Sequence, residues 1–185
     1  MFIKEFIKTD IENVKAFTDV AVGDGYYSID ELTRNQKKSI AKTGEFCSFV
    51  LIDPQDNSVN GLRLAYPPGN WDQGKGGQLR PELWPTKLEE TAYFQSLFVS
   101  PKLQGQGWGP QLAKKSLQVF KKLGAKAVVA HCWKESPNNS SLRYLQNMGF
   151  KEIIEHPLYW INVNYVCTRD GYPCKCTAIE MHLSL

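Results

Sequence analysis

Val99-Ser100-Pro101-Lys102-Leu103-Gln104-Gly105-Gln106-Gly107-Trp108-Gly109-Pro110 is the stretch on which the fold turns. It joins a predicted strand, residues 93–99, directly to a predicted helix that starts at Pro110 and ends near Leu123, before Gly124. Glycines at such a junction let backbone N–H groups face one concavity without Cβ obstruction. The positive end of the helix dipole adds to the field there, so the turn reads as a nest for phosphate oxygens. Two common phosphate loops are excluded by spacing. No Gly-Lys-Ser/Thr follows, as a P-loop requires, and the glycines run G-x-G-x-G rather than G-x-G-x-x-G. The next strand ends in His131-Cys132-Trp133, with no acid to hold a ribose.

Outward from the turn, residues 127–133 form a nearly continuous apolar run, as in a strand covered on both faces. Residues 140–148 predict a short helix closed by Gly149-Phe150, and two strands, 151–166 with a break near Pro157 and 177–183, finish the chain. On the N-terminal side, residues 2–6 alternate as a strand. Thr9-Asp10-Ile11-Glu12 and Ser28-Ile29-Asp30-Glu31 read as capping boxes, opening helices that end near Val22 and Gly44. Residues 46–52 and 59–66 predict a hairpin, and 67–85, rich in Gly, Pro and Trp, a long functional loop.

The chain has 185 residues, 42% hydrophobic and 22% charged, which suits a single globular domain over 1–185. Its net charge of +3 is too small and too dispersed for a nucleic-acid binder. No stretch is long and apolar enough for a membrane helix, and the N-terminus has no secretory pattern. The expectation is a cytoplasmic protein, monomer or homodimer, with neither nucleic acid nor membrane as partner. Five cysteines in such a chain are read as reduced thiols. Cys167, Cys174 and Cys176, spaced C-x6-C-x-C, predict the flanks of a hairpin turning at 169–173, with no metal. Zinc is the alternative, and would need Asp170, His156 or His182 as a fourth ligand.

Gln104-x-x-Gly107-x-Gly109, between strand and helix, resembles the Q/R-x-x-G-x-G/A signature of the GCN5-related N-acetyltransferases. Leu97-Phe98-Val99-Ser100-Pro101 is similar to the family's L-x-V-x-P. Asn138-x-x-Ser141, followed by Tyr144-Leu145-Gln146-Asn147-Met148-Gly149-Phe150, is similar to its N-x-x-A...F-Y-x-x-x-G-F block. The resemblance covers essentially the whole chain. It implies an α/β fold: a mixed central sheet of about seven strands with one splayed parallel pair, flanked by about four helices.

The resemblance implies acetyl-CoA as co-substrate and transfer of its acetyl group to a primary amine, on a small molecule or a peptide, by direct attack in a ternary complex. Backbone groups of Leu97, Phe98 and Val99 would take the pantetheine. Gln104, Gly105, Gln106, Gly107, Trp108, Gly109 and Pro110 would hold the diphosphate, Asn138 and Ser141 would lie beside the arm, and Lys114, Lys115, Lys121 and Lys122 would be candidates for phosphate pairing. Many members carry a Glu base on the strand where this chain has Tyr93 and Gln95. Glu90, Asp72 and His131 are the substitutes, with Glu90 foremost. The family's Tyr acid falls at Leu145; Tyr144, one residue and about 100° of helix away, is the candidate in its place. Trp71, Asp72 and Trp84 are expected to bind a cationic acceptor. The absent Glu and displaced Tyr leave a second reading, a non-catalytic acyl-CoA-binding module.

Overall fold

In this computed structural model, which describes residues 1–185, seven strands form one sheet: β1 (Phe2–Glu5), β2 (Phe49–Ile52), β3 (Val59–Tyr66), β4 (Thr91–Val99), β5 (Ala127–Trp133), β6 (Lys151–His156) and β7 (Ala178–Ser184). Their order is β1-β2-β3-β4-β5-β7-β6, and the one parallel pair is β4 with β5. Helices α1 (Ile11–Ala21) and α2 (Ile29–Lys38) cover one face, burying Val14 and Leu32 against Val50, Leu62 and Leu64. Helices α3 (Trp108–Lys122) and α4 (Ser140–Asn147) cover the other, where Ala113, Phe120 and Leu145 pack on Phe94, Val128 and Ala130. Alternation along β5 divides these cores: Val128, Ala130 and Cys132 point to α3 and α4, while His131 points to the opposite face with Tyr93. The expected sheet and helices are present.

Several local expectations are corrected. Thr9 caps nothing; a 3-10 turn, Lys8–Asp10, precedes α1, and Asp10 accepts from the Ile7 N–H at 3.0 Å and from Lys4 at 2.6 Å. Ser28 does cap α2, accepting from the Glu31 N–H at 3.1 Å, but the Glu31 carboxylate turns to Lys75 rather than back to the cap. That helix stops at Lys38, and Ile40 then bridges to Phe46, so β2 is shorter than 46–52. Residues beyond His156 leave the sheet in a series of turns, where Leu158 takes a φ of +57°. Cys167 and Gly171 form an isolated bridge, not a hairpin between strands.

Candidate active site

β4 and β5 stay paired from Thr91–Ala127 to Phe94–Ala130 and then part. On the other side of β4 the register against β3 slips between Leu64 and Ala65, which leaves Gln95 as an extra residue. A bulge bends its strand and sharpens the twist, so β4 swings away from β5 from Gln95 onward. A cavity of about 1210 Å³ opens at this parting. It is lined by Leu97, Phe98 and Val99 of β4, the glycine turn and α4, together with His131, Tyr26, Trp160 and Tyr165.

The turn is built as its composition predicts. A 3-10 turn, Pro101–Leu103, leads to Gln104, and Gly105 and Gly107 adopt φ of +77° and +81°, a region that L side chains rarely enter. Gly109 allows close packing instead, since a Cβ there would stand 3.3 Å from Leu97. Gln104 and Gln106 N–H groups bond within the turn, whereas those of Gly105, Gly107, Trp108 and Gly109 donate to no protein acceptor. The last two belong to the first turn of α3, which starts two residues before Pro110 and leaves them free by helix geometry. Gln104 lines the cavity and donates to the Val99 carbonyl at 3.1 Å, tying turn to strand. Gln106 is not on the wall; its side chain bonds the Lys102 carbonyl. Trp108, Pro110 and Lys114 are on it, while Lys122 pairs with Glu45 at 2.8 Å on the far end of α3.

At the start of α4, Asn138 and Asn139 both sit in the left-handed region, with φ of +54° and +53°. Neither side chain caps the helix; Ser136 accepts from the Ser141 N–H at 3.0 Å. Asn138 and Ser141 face the cavity. So does Tyr144, whereas Leu145 is turned into the core. Burial raises the Tyr144 pKa, and the neighbouring Arg63, which lowers it, does not reverse the shift, so the phenol keeps its proton at neutral pH.

On the opposite face, His131 Nδ1 shares a hydrogen bond with the Tyr93 hydroxyl at 2.7 Å, and Nε2 lies 3.6 Å from the Glu180 carboxylate. The β5–β7 register sets His131 directly opposite Glu180. Glu180 is fully buried and also takes His156 Nε2 at 2.7 Å, the Arg80 N–H at 3.1 Å and the Trp84 indole N–H. Burial would raise its pKa, but the nearby His131 ring and the bonds from Trp84 and His156 outweigh this and hold it at about 2. Burial lowers the His131 pKa more than Glu180 raises it, so the ring is neutral at pH 7.

Three loop residues expected at the acceptor, and the foremost base, are not on the cavity wall. Trp71 and Trp84 are buried, Trp71 stacked 4.5 Å from Tyr93 and donating to the Thr91 carbonyl, Trp84 on Glu180. Loop 67–85 is thus a fixed cover over the sheet, with Asp72 exposed on its outside. Glu90 is exposed at the far end of β4, about 16 Å of strand from Gln95. Of the substitutes for the missing acid, His131 alone reaches the cavity. Arg63 and Glu180 carry no motif; each is the one Arg, Lys, Asp or Glu in its strand, a signal readable in the sequence. Cys132 is buried behind β5, off the cavity wall, with its pKa pushed up to about 11 by burial. No Asp or Glu lines the cavity. No helix is long and apolar enough to cross a membrane.

Comparison with known proteins agrees with this geometry. The family model described as Acetyltransferase (GNAT) family matches residues 24–150. No curated protein sequence matches the chain. Among solved structures, the ribosomal-protein-S18-alanine N-acetyltransferase from Escherichia coli superposes with a TM-score of 0.67 at 16% identity, covering 99% of this chain and 92% of that one. The putative acetyltransferase yncA from Salmonella typhimurium, solved with acetyl-CoA, gives 0.65 at 19% identity over 100% and 94%. A chain of the NatC complex bound to Gag peptide and CoA gives 0.70 at 15% identity over 100% and 98%.

Proposed function

The chain belongs to the acetyltransferase (GNAT) family, and on that premise we propose that it moves an acetyl group from acetyl-CoA to a primary amine by direct attack in a ternary complex. The observation that carries this reading is the run of unpartnered N–H groups at Gly105, Gly107, Trp108 and Gly109, opening into the cavity beside the freed edge of β4. These donors are exposed or half-buried and so open to a ligand, and a diphosphate at a helix N-terminus is an acceptor matched to them. The solved likenesses that hold acetyl-CoA or CoA support the same ligand here.

The pantetheine arm then runs along Leu97, Phe98 and Val99, with Asn138 and Ser141 on its other side. A free alkylamine titrates near ~10.4, so few molecules are neutral at pH 7 and a proton acceptor is needed. In this reading His131 takes the first ammonium proton, and the paired Glu180 stabilises the imidazolium. The amine attacks the thioester carbonyl, a β4 N–H steadies the oxyanion, and collapse expels the CoA thiolate. Tyr144 gives that thiolate its proton and recovers one from the acetylated nitrogen. The buried, protonated Cys132 lies off this route, which supports transfer without an acyl-enzyme.

The acceptor end is aromatic, with Tyr26 edge-on to Tyr165 at 4.8 Å and Trp160 beside them. Aromatic walls without a carboxylate favour an amine on an apolar or aromatic body over a polyamine. The test is thiol release from acetyl-CoA across arylalkylamines, peptides with free N-termini and polyamines. Turnover strongest with the aromatic amines supports the proposal; CoA binding with no turnover on any amine would leave the non-catalytic module instead.

A further inference from the structure

We infer that Cys167, Asp170, Cys174 and Cys176 form a tetrahedral site for a structural zinc ion. One ligand atom from each lies within 4.8 Å of all the others. Cys167 and Cys176 sulfurs are 4.0 Å apart, and Asp170 Oδ2 is 3.2 Å from Cys176 Sγ. Zn–S bonds of about 2.3 Å at tetrahedral angles put sulfurs about 3.8 Å apart, so the Cys167–Cys176 pair already stands near the required spacing. All three cysteines are buried and free, at 5%, 0% and 1% exposure. Thiolates select zinc over calcium or magnesium, and four protein donors leave no open position, which marks a structural rather than a catalytic ion.

Polar groups surround the sulfurs. The Arg169 guanidinium stands 3.9 Å from Cys176 Sγ and 3.8 Å from Asp170 Oδ1, a cation beside two of the proposed donors. The Trp133 indole N–H is buried without a hydrogen-bond partner beside Cys176. Such outer donors hold first ligands in place. The need for a staple is equally physical. Residues 157–177 contain no helix or strand, yet bury Tyr159, Trp160 and Tyr165 against the sheet. A structureless run of that length in a packed domain needs something to fix it. Spacing alone left the fourth ligand open among Asp170, His156 and His182; the fold brings Asp170, from inside the turn, to the three sulfurs.

Zinc content of the full chain, purified without chelator or metal-affinity resin, tests this. We expect one zinc per chain and, after exchange into Co(II), sulfur-to-cobalt charge-transfer bands with tetrahedral d–d absorption. Asp170→Asn, at a partly exposed position that should not threaten folding, raises the zinc dissociation constant at least about tenfold, the scale lost even for an outer-sphere partner. Cys47→Ser, on the other side of the molecule, leaves zinc unchanged. Less than about 0.1 equivalent after reconstitution overturns the site. So does a mass showing a Cys167–Cys176 disulfide, or equal zinc loss in Cys47→Ser. None of these readouts involves CoA, so the site stands or falls apart from the proposed reaction.

Discussion

Arg63 on β3 donates from Nη2 to the Tyr144 hydroxyl on α4 at 2.8 Å, joining two residues far apart in the chain beside a small second pocket that His131 and Ser141 also line. The guanidinium is 2% exposed, lies 4.1 Å over the Phe94 ring, leaves Nε without a partner and has no carboxylate beside it. A buried cation in this state is costly unless something anionic arrives. In the proposed reaction a thiolate developing next to Tyr144 would be such a group, with Arg63 orienting the phenol and stabilising that charge.

Tyr144→Phe should therefore lower kcat by about 10²-fold or more, the usual scale for a lost general acid, with KM for acetyl-CoA little changed. Steady-state kinetics with the aromatic amine panel checks this. A normal kcat in the variant would return Tyr144 to a packing role.

Acidity should limit the enzyme through His131. Its pKa is lowered by burial, so the base is active above the lowered value and lost as pH falls through it. The acid limb of kcat/KM should lie below the ordinary imidazole range near 6.5. His131→Gln should remove that limb and cost about 10²-fold at pH 7. An unchanged profile in the variant would point to another base.

Glu180 should govern stability in acid. Its folded pKa of about 2 is below that of a free carboxyl, so its contribution is complete above about pH 4.5 and drains away as pH falls toward 2. His131 acts in the same direction at higher pH, because the unfolded chain binds its proton first. Glu180→Gln leaves donors from His156, Trp84 and Arg80 poorly matched in a dry interior and should cost about 3 kcal/mol. Urea unfolding at pH 7 measures the loss, and a change under about 0.5 kcal/mol would contradict the network.

Gly107→Glu puts a side chain on a residue with φ +81° and a carboxylate where the diphosphate should lie. CoA affinity should fall by at least about 100-fold, while Gly107→Ala, strained but uncharged, should lose far less. Calorimetry on both variants separates charge from strain.

Much of this was legible in the chain. The apolar run 127–133 and the second hairpin arm at 59–66 match β5 and β3 residue for residue, because both are central strands rich in buried side chains and bounded by turn residues. The glycine turn was legible because positive φ and close approach restrict a position to glycine. Thr9 misled because Asp10, one residue on, offers the stronger acceptor to the same turn. Trp71 and Trp84 misled because aromatic rings signal burial and binding alike, and only packing on Tyr93 decides. His131 was visible as one candidate, but its partner, Glu180, is set by the pairing of β5 with β7, a contact that local pattern does not encode.

The most direct test of the central claim is a crystal structure of the protein with CoA. The account predicts diphosphate oxygens about 3 Å from the N–H groups of Gly107, Trp108 and Gly109, and the sulfur within reach of the Tyr144 hydroxyl. A nucleotide bound elsewhere, or a thiol pointing away from Tyr144 and His131, would contradict it.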